Sequence, residues 1–270
     1  MKIKLIKHLG QNFLIDKNIL EKIIATADIK PNDVILEIGP GTGILTLELA
    51  KYAKRVIAVE KDKRMCEFLK NVLIAQNVRN VEIINEDILN YVGRAMSYIK
   101  GYKLVANLPY YITSPVIRKF LETPNKPKLI ILMVQKEVAQ RICAKPGKMS
   151  LLAVAVQFYA KPEIIAYVSK NAFYPVPKVD SAIIKITPRP DVGHTMSYID
   201  AEGFFDLVKK GFSAKRKMLK NNIINKLKIK SQKLKVVFKE LGLNPKCRAE
   251  ELSVDNWIKL YTILTNKNLL

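Results

Sequence analysis

The sequence predicts an α/β fold built on a parallel β-sheet and followed by a small all-helical domain. Through the first two thirds of the 270 residues, short apolar runs rich in Val and Ile alternate with helical patterns, as is typical of βαβ units. After a segment with two prolines and a glycine at 188–193, only the helical period remains. We therefore predict an α/β domain over 1–190, including an N-terminal extension, and a helical domain over 191–270.

Five strand candidates of the parallel sheet follow one another along the chain. They are 34–38, 56–60, 81–84, 104–106 and 129–134. The helical patterns that connect or follow them lie at about 43–53, 62–77, 114–122 and 136–143. An apolar helix near 150–160 then precedes two further apolar runs, 164–168 and 182–186, with no evident helix between them. These two runs predict an antiparallel pair at a sheet edge.

Basic residues far outnumber acidic ones. The chain contains 46 Lys and Arg against 24 Asp and Glu, a net charge of +22, which favours a polyanionic partner such as a nucleic acid. A lysine bias typical of high-temperature or high-salt proteomes is the alternative. Twelve of the bases and no acid lie within 207–239, whereas a solvated helical face normally mixes both signs. We predict that this segment faces RNA or DNA.

Histidine and cysteine are too few for several kinds of site. His8 and His194 are the only histidines, and Cys66, Cys143 and Cys247 lie far apart, so a zinc cluster, a disulfide framework and a Ser-His-Asp triad are disfavoured. No apolar run approaches the roughly 18 residues of a membrane span, and the N-terminus lacks the pattern of a secretory signal. We expect a cytoplasmic protein with no metal and no membrane partner.

A glycine-rich loop follows the first predicted strand. Gly39, Gly41 and Gly43 occupy alternate positions after Glu37, and glycine permits a tight turn and a close approach to a ligand. A dinucleotide fingerprint would need glycine where Ile44 stands, which disfavours a nicotinamide enzyme. The pattern resembles instead the S-adenosylmethionine loop of Rossmann-like methyltransferases. We therefore expect a Rossmann-like sheet in which Gly39 and Gly41 contact S-adenosylmethionine.

Two carboxylates end the next two predicted strands. Glu60 follows Gly41 at close to the spacing of about 20 residues seen in nucleotide-binding sheets, and it can accept both ribose hydroxyls. Asp87 can accept from the adenine amino group, while the N–H of Ile88 can donate to a ring nitrogen. Either carboxylate alone is more simply explained as a helix cap or a surface charge. Their positions at successive strand ends predict cofactor ligands.

The element Asn107-Leu108-Pro109-Tyr110 follows the fourth predicted strand. It resembles the signature of methyltransferases that act on a planar amine, chiefly adenine N6, whose lone pair is delocalised and poorly nucleophilic. The Asn107 side-chain oxygen and the Leu108 carbonyl can accept the two amino hydrogens. Pro109 fixes the backbone, and Tyr110 offers a face for an extruded base. We predict that these four residues form the catalytic element.

Three further segments resemble the ribosomal RNA adenine dimethyltransferase family of the kasugamycin-resistance type. They are HLGQNFL at 8–14, FYPVPKVDS at 173–181 and FSAKRKMLKN at 212–221. The resemblance implies transfer of two methyl groups from S-adenosylmethionine to N6 of each of two adjacent adenosines near the 3′ end of small-subunit ribosomal RNA. It also implies a role in small-subunit maturation, with residues 1–190 catalytic and residues 191–270 binding RNA.

The resemblance also assigns individual residues. Besides the residues above, those placed around the cofactor are Gln11, Asn12, Leu14 and Asn107. Phe173 would stack on the target adenine opposite Tyr110. From the excess of positive charge in the C-terminal segment, and not from the resemblance, we assign RNA contacts to Lys209, Lys210, Lys215, Arg216 and Lys217. The implied partner is small-subunit ribosomal RNA within a pre-assembled small ribosomal subunit, and we expect the protein to be a monomer.

Two other functions stay open on the sequence. One is a large-subunit adenine methyltransferase of the macrolide-resistance type, although Leu108, where those enzymes commonly carry Ile, and the Lys-Arg-Lys segment at 215–217 favour the small subunit. The other is a ribosome-assembly factor that keeps the fold without catalysis, although intact Glu60 and Asn107 argue against it. The run Tyr-Tyr-Ile-Thr-Ser-Pro at 110–115 suggests an archaeal member.

Overall fold

The chain folds into two compact units. The computed structural model describes residues 12–94, 99–189 and 199–270. The first unit consists of the described residues up to Gln140 together with Ala160–Pro188, and the second of Arg141–Tyr159 and the described residues from Arg189 onwards. The second unit therefore includes 141–159, a segment that the sequence analysis assigned to the α/β domain.

A mixed β-sheet forms the centre of the first unit. Its parallel strands are β2 (Val34–Ile38), β3 (Arg55–Glu60), β4 (Val81–Asn85), β5 (Lys103–Asn107) and β6 (Leu129–Gln135). Its antiparallel strands are β7 (Ala160–Val168) and β9 (Ser181–Pro188). Within the described residues the order is β4-β3-β2-β5-β6-β9-β7. The predicted parallel sheet and the predicted antiparallel edge pair are both confirmed.

Helices of the first unit follow or connect these strands. They are α1 (Lys17–Ala27), α2 (Ile44–Tyr52), α3 (Lys63–Ala75), α4 (Ile88–Arg94), α5 (Thr113–Glu122) and α6 (Lys136–Ile142), whose last residues belong to the second unit. The predicted helices correspond to α2, α3, α5 and α6. Helix α1 was not predicted from the sequence. It begins where the Asp16 carboxylate accepts the N–H groups of Asn18 and Ile19, an ordinary N-cap.

Burial explains why the central strands are continuous apolar runs. In β2, Ile35 and Leu36 are both fully buried although successive side chains point to opposite faces of the sheet, so both faces are covered. The same holds for Ile131 and Leu132 in β6. A separate two-stranded ribbon joins β1 (Phe13–Leu14) to β8 (Phe173–Tyr174). This ribbon ties the start of the described chain to the segment before β9.

The second unit is all-helical among its described residues. It contains α7 (Leu151–Tyr159), α8 (Ala201–Gly211), α9 (Leu219–Leu227), α10 (Ser231–Glu240) and α11 (Val254–Asn266). Its core surrounds the fully buried Trp257. From α7, Phe158 stacks on Phe204 of α8 with ring centroids 4.5 Å apart, which is why α7 packs with the helices rather than with the sheet. No helix in the described ranges is long and apolar enough to cross a membrane.

Candidate active site

A cavity lies at the edge of the sheet where the parallel strands end. The loops after β2, β3, β4 and β5 all reach this edge because the strands run in the same direction. The predicted cofactor residues that line it are Asn12, Leu14, Gly39, Gly41, Glu60, Asp87, Ile88 and Asn107. Leu108, Pro109 and Tyr110 line it as well. Gln11 lies outside the described residues.

The glycine loop after β2 takes a backbone path that favours glycine. Gly39 has a φ of +65° and Gly41 a φ of +55°, in the left-handed region that other residues rarely adopt. A Cβ atom on Gly41 would lie 2.8 Å from the ring of Phe13. The loop therefore needs glycine both for its turn and for the aromatic ring that packs against it.

Glu60 is a half-buried carboxylate at the end of β3. Its Oε1 accepts the N–H of Asp62 at 2.9 Å. Burial raises the pKa of Glu60, and backbone N–H groups, including that of Gly41, oppose the rise. The carboxylate thus interacts with both the glycine loop and the turn after β3. It can also accept hydrogen bonds from hydroxyl groups of a ligand in the cavity.

Asp87 serves as a helix cap and also lines the cavity. Its Oδ1 accepts the N–H of Leu89 at 3.0 Å in the first turn of α4, and its Oδ2 lies 2.9 Å from Nζ of Lys61. The hydrogen bond with Lys61 holds the pKa of Asp87 below its ordinary value. The two interpretations that the sequence left in competition for Asp87, cap and cavity residue, are therefore compatible.

Asn107 is held by a long-range hydrogen bond. Its Nδ2 donates to the backbone carbonyl of Asn12 at 3.1 Å, so the amide nitrogen is engaged and the amide oxygen is the acceptor. Next along the chain, Tyr110 is half-buried, and its hydroxyl lies 2.8 Å from Oγ of Ser181 in β9. Both side chains are thereby fixed at the cavity by residues distant in sequence. The sequence analysis gave Ser181 no role.

Phe173 does not line the cavity, contrary to the position that the sequence analysis gave it. Its side chain is only 1% exposed and belongs to the core cluster that also contains Leu14 and Met133. Its backbone is paired with Leu14 in the ribbon of β1 and β8. A base could stack on Phe173 only after its neighbours moved, so its predicted stacking role is not visible in this conformation.

Glu37 is a cavity residue to which the sequence analysis gave no role. It is 1% exposed and lines the cavity, and its Oε2 has no hydrogen-bond partner among the described residues. Burial, with a smaller contribution from the charge of Glu60, raises the pKa of Glu37 to about 8. A buried carboxyl oxygen without a partner in a cavity indicates a ligand that forms a hydrogen bond with it. The sequence signal was a lone acid in an otherwise apolar strand.

The basic residues assigned to RNA lie at the end of α8 and in the turn after it. Lys209, Lys215, Arg216 and Lys217 are exposed and form no ion pair within the described part of the chain. Lys210 differs, because its Nζ lies 2.6 Å from the Asp206 carboxylate. Four of the five predicted cations are thus available to an anionic partner. Elsewhere, no group of three or more potential metal ligands occurs among the described residues.

The ribosomal RNA adenine dimethylase family matches residues 3–266 of this sequence. The chain belongs to this family. It is 44% identical over 263 residues to the ribosomal RNA small subunit methyltransferase A of Dehalococcoides mccartyi, with 96% of this chain and 88% of the relative covered. The relative of that name from Halothermothrix orenii is 42% identical, with 98% and 88% covered. The expectation of an archaeal member is not borne out, because these relatives are bacterial.

Two solved structures resemble nearly the whole chain. A dimethyladenosine transferase from Plasmodium falciparum aligns with a TM-score of 0.82 at 30% identity, over 95% of this chain and 98% of that one. The 23S rRNA methyltransferase ErmE aligns with a TM-score of 0.76 at 27% identity, over 94% and 100%. The fold predicted from sequence, a Rossmann-like methyltransferase sheet with a helical C-terminal part, is confirmed.

Proposed function

We propose that this member of the ribosomal RNA adenine dimethylase family transfers methyl groups to N6 of two adjacent adenosines near the 3′ end of small-subunit ribosomal RNA. The products are N6,N6-dimethyladenosines. The observation that carries the proposal is the fixed amide of Asn107, hydrogen-bonded to Asn12 at 3.1 Å, in a cavity that also contains Glu60 and Asp87. In this way one cavity contains groups that can bind a nucleotide-like cofactor and a group that can bind the amino group of the substrate.

The cavity residues fit S-adenosylmethionine as the cofactor. When bound, S-adenosylmethionine supplies a methyl group carried on a positively charged sulfur. Glu60 offers a carboxylate to the ribose hydroxyls, and Asp87 with the N–H of Ile88 offers an acceptor and a donor to the adenine ring. The buried carboxyl of Glu37, whose Oε2 has no partner among the described residues, suits a polar group of the cofactor, and the left-handed turn at Gly41 allows the backbone to approach closely.

The catalytic element acts by orienting the amino group of the target base. The Asn107 oxygen and the Leu108 carbonyl each accept one amino hydrogen, which directs the nitrogen lone pair out of the conjugated system towards the methyl donor. As the N–C bond forms, the S–C bond would break and leave a neutral thioether, and the methylated nitrogen, now positively charged, would lose its proton to solvent, so no strong base is required. Tyr110 supplies a ring for the base, and its contact with Ser181 at 2.8 Å holds that ring in place before the substrate arrives.

The basic surface binds the phosphate backbone of the substrate RNA. Lys209, Lys215, Arg216 and Lys217 carry this role, and Lys210 contributes only if its ion pair with Asp206 opens. Contacts of this kind position an RNA without selecting its sequence. We propose that residues 1–190 are catalytic and that 191–270 bind RNA. The whole protein acts as a cytoplasmic monomer on a pre-assembled small subunit.

A primer-extension assay tests the proposal. The wild-type protein is incubated with S-adenosylmethionine and with small or large ribosomal subunits from a strain without these modifications. Dimethylation of N6 removes both amino hydrogens and halts reverse transcription, so we expect two adjacent stops near the 3′ end of the small-subunit RNA. A stop in large-subunit RNA would favour the macrolide-resistance type. Binding of small subunits without any stop would favour a non-catalytic assembly factor.

A further inference from the structure

A second cavity lies on the first unit, beside the end of β6 and apart from the cofactor cavity. It has a volume of about 500 Å³ and its lining includes Lys136, Lys170, Lys178, Glu137 and Asp180. We call it the lysine cavity. Lys136 opens α6, while Lys170 and Lys178 come from the chain on either side of β8. The cavity therefore collects three cations from segments that are well separated in sequence.

The three cations are not neutralised by ion pairs. None of Lys136, Lys170 and Lys178 forms a salt bridge with another described residue. Asp180 has a structural role instead, because its Oδ1 accepts the backbone N–H of Lys170 at 3.1 Å and its carbonyl accepts the backbone N–H of Lys136 at 3.0 Å. The lining therefore has a net positive charge, three lysines against the carboxylates of Glu137 and Asp180, which favours an anion in the cavity.

The lysine cavity adjoins the catalytic element through one residue. Ser181 directly follows Asp180 and is paired with Gln135 at the end of β6, another lining residue of the lysine cavity. The Oγ of Ser181 lies 2.8 Å from the hydroxyl of Tyr110, and Tyr110 lines the cofactor cavity. A strand whose base lies on Tyr110 would therefore have its neighbouring nucleotides close to the three lysines.

Exposed aromatic rings accompany the lysines. Tyr167 is 54% exposed and Tyr174 is 65% exposed, and Nζ of Lys136 lies 5.2 Å from the centre of the Tyr167 ring. Lysines interleaved with exposed aromatic rings are typical of surfaces that hold a single nucleic-acid strand, with phosphates on the cations and bases on the rings. The lysines outnumber the carboxylates of the lining, and together with the exposed rings this favours a nucleic-acid strand over a protein partner.

We propose that the lysine cavity binds the phosphates of the RNA strand next to the target adenosine, and so positions that adenosine on Tyr110. The inference rests on the proposed methylation of RNA and adds a binding site on the catalytic unit. Lys170 and Lys178 carry the phosphate contacts. They act as positioning residues, so their loss should weaken RNA binding and raise the KM for RNA while kcat and cofactor affinity stay unchanged.

The test compares two double variants of the full chain that remove the same charge. Lys170→Gln with Lys178→Gln alters the lysine cavity and keeps the backbone N–H that holds Asp180. Lys54→Gln with Lys128→Gln is the matched control. These exposed lysines directly precede β3 and β6, at the amino ends of the parallel strands and so on the side of the sheet away from the cavity. Labelled RNA containing the target adenosines is titrated against each protein across a salt series, and methylation kinetics are measured on the same RNA.

We expect the cavity variant to lower the slope of log affinity against log salt by about 1.4, since each single-strand phosphate contact contributes about 0.7. The control should keep at least most of the wild-type slope, and Lys170→Arg with Lys178→Arg should restore it, which separates loss of charge from damage to the fold. Equal slopes for wild type and cavity variant, or equal losses in the cavity and control variants, would overturn the proposal. A wild-type protein that transfers no methyl group to RNA would overturn the proposed function as well.

Discussion

The cofactor cavity of the first unit and the basic segment of the second unit use charge in opposite ways. In the cavity, Glu37 and Glu60 are buried or half-buried, and burial raises the pKa of each. On the second unit, Lys215, Arg216 and Lys217 are exposed and have no ion-pair partner among the described residues. Charges of the first kind are few and individually placed, whereas those of the second kind are numerous and exposed to solvent.

This difference predicts how each region responds to substitution. A buried polar group that loses its partner cannot form a hydrogen bond with water instead. A single substitution in the cavity should therefore have a large effect on methylation, cofactor binding or stability. Exposed cations are interchangeable and screened by salt, so single changes should be nearly silent and only combined changes should be visible.

Replacing Asn107 should give the largest effect. Asn107→Ala removes both the acceptor for the amino group and the hydrogen bond to Asn12, and we expect single-turnover methylation at saturating RNA to slow by about 10² to 10³, with RNA binding unchanged. The matched control is Asn80→Ala, which removes amide hydrogen bonds to Ala50 and Ala53 at the opposite edge of the sheet. A rate within a few-fold of wild type would show that a single cavity residue is not decisive.

The raised pKa of Glu37 predicts that the stability of the ligand-free protein depends on pH. Its pKa is raised from 4.5 to about 8 in the folded chain, so the folded state binds the extra proton between these values and stability falls as pH rises through that window. From pH 6 to pH 8, we expect the free energy of unfolding of the wild type to fall by about 2 to 3 kcal/mol more than that of Glu37→Gln.

Urea unfolding of both proteins at the two pH values measures this difference. Glu67→Gln, at an exposed position on α3, is the matched control and should follow the wild type. If Glu37→Gln kept the full pH dependence, Glu37 would not be the buried proton carrier, and the contrast between buried and exposed charges would lose its clearest case.

Glu60→Gln should weaken cofactor binding by roughly tenfold to a hundredfold, since a ribose without its charged acceptor is left poorly matched, at about 1 to 3 kcal/mol. Titration calorimetry with S-adenosylmethionine checks this. Glu82→Gln is the control, because Glu82 lies on the neighbouring strand β4 and pairs with Arg55. Equal affinities for Glu60→Gln and wild type would remove Glu60 from the cofactor site.

The basic segment should give the smallest effect for each residue changed. Lys215→Ala, Arg216→Ala and Lys217→Ala together should lower the salt slope of RNA binding by roughly 2 to 3 and leave cofactor affinity alone. A second triple variant, Lys226→Ala, Lys228→Ala and Lys230→Ala, removes three other exposed lysines of the same basic stretch. If both triple variants lower the salt slope of RNA binding equally, the lysines act through their total charge and not through individual contacts. If only the first triple variant lowers it, these three residues contact phosphates directly. An unchanged slope for the first triple would move the RNA surface elsewhere.

Much of the cavity could be predicted because its parts are local in sequence. Gly39, Glu60, Asp87 and Asn107 each end or follow a strand whose apolar run is visible in the sequence, and parallel strands bring their ends to one edge. The ring of Phe173 lies in the core and not at the cavity, so its stacking on the target base stays a prediction. A motif identifies which residues belong to a segment, but it does not show which way a side chain points. The ring of Phe173 faces the core because of the ribbon that β8 forms with β1.

Local pattern also misplaced the boundary between the units. The α7 helix precedes β7 in sequence, so it was assigned to the α/β domain, yet Phe158 stacks on Phe204 in the helical core. Periodicity shows that a helix has an apolar face, but it does not show which core buries that face. The second unit therefore includes α7, a helix that comes from the middle of the chain.

The sequence by itself determined the alternation of strands and helices, the glycine loop, the carboxylates at the strand ends and the excess of positive charge. Each of these depends on residues within about one turn or strand of each other, where periodicity and backbone preference act directly. Only the tertiary structure decided the hydrogen bond from Asn107 to Asn12, the contact of Tyr110 with Ser181 and the grouping of Lys136, Lys170 and Lys178. These contacts join distant segments, and they form because burying the apolar faces of the sheet leaves one arrangement of the loops above it.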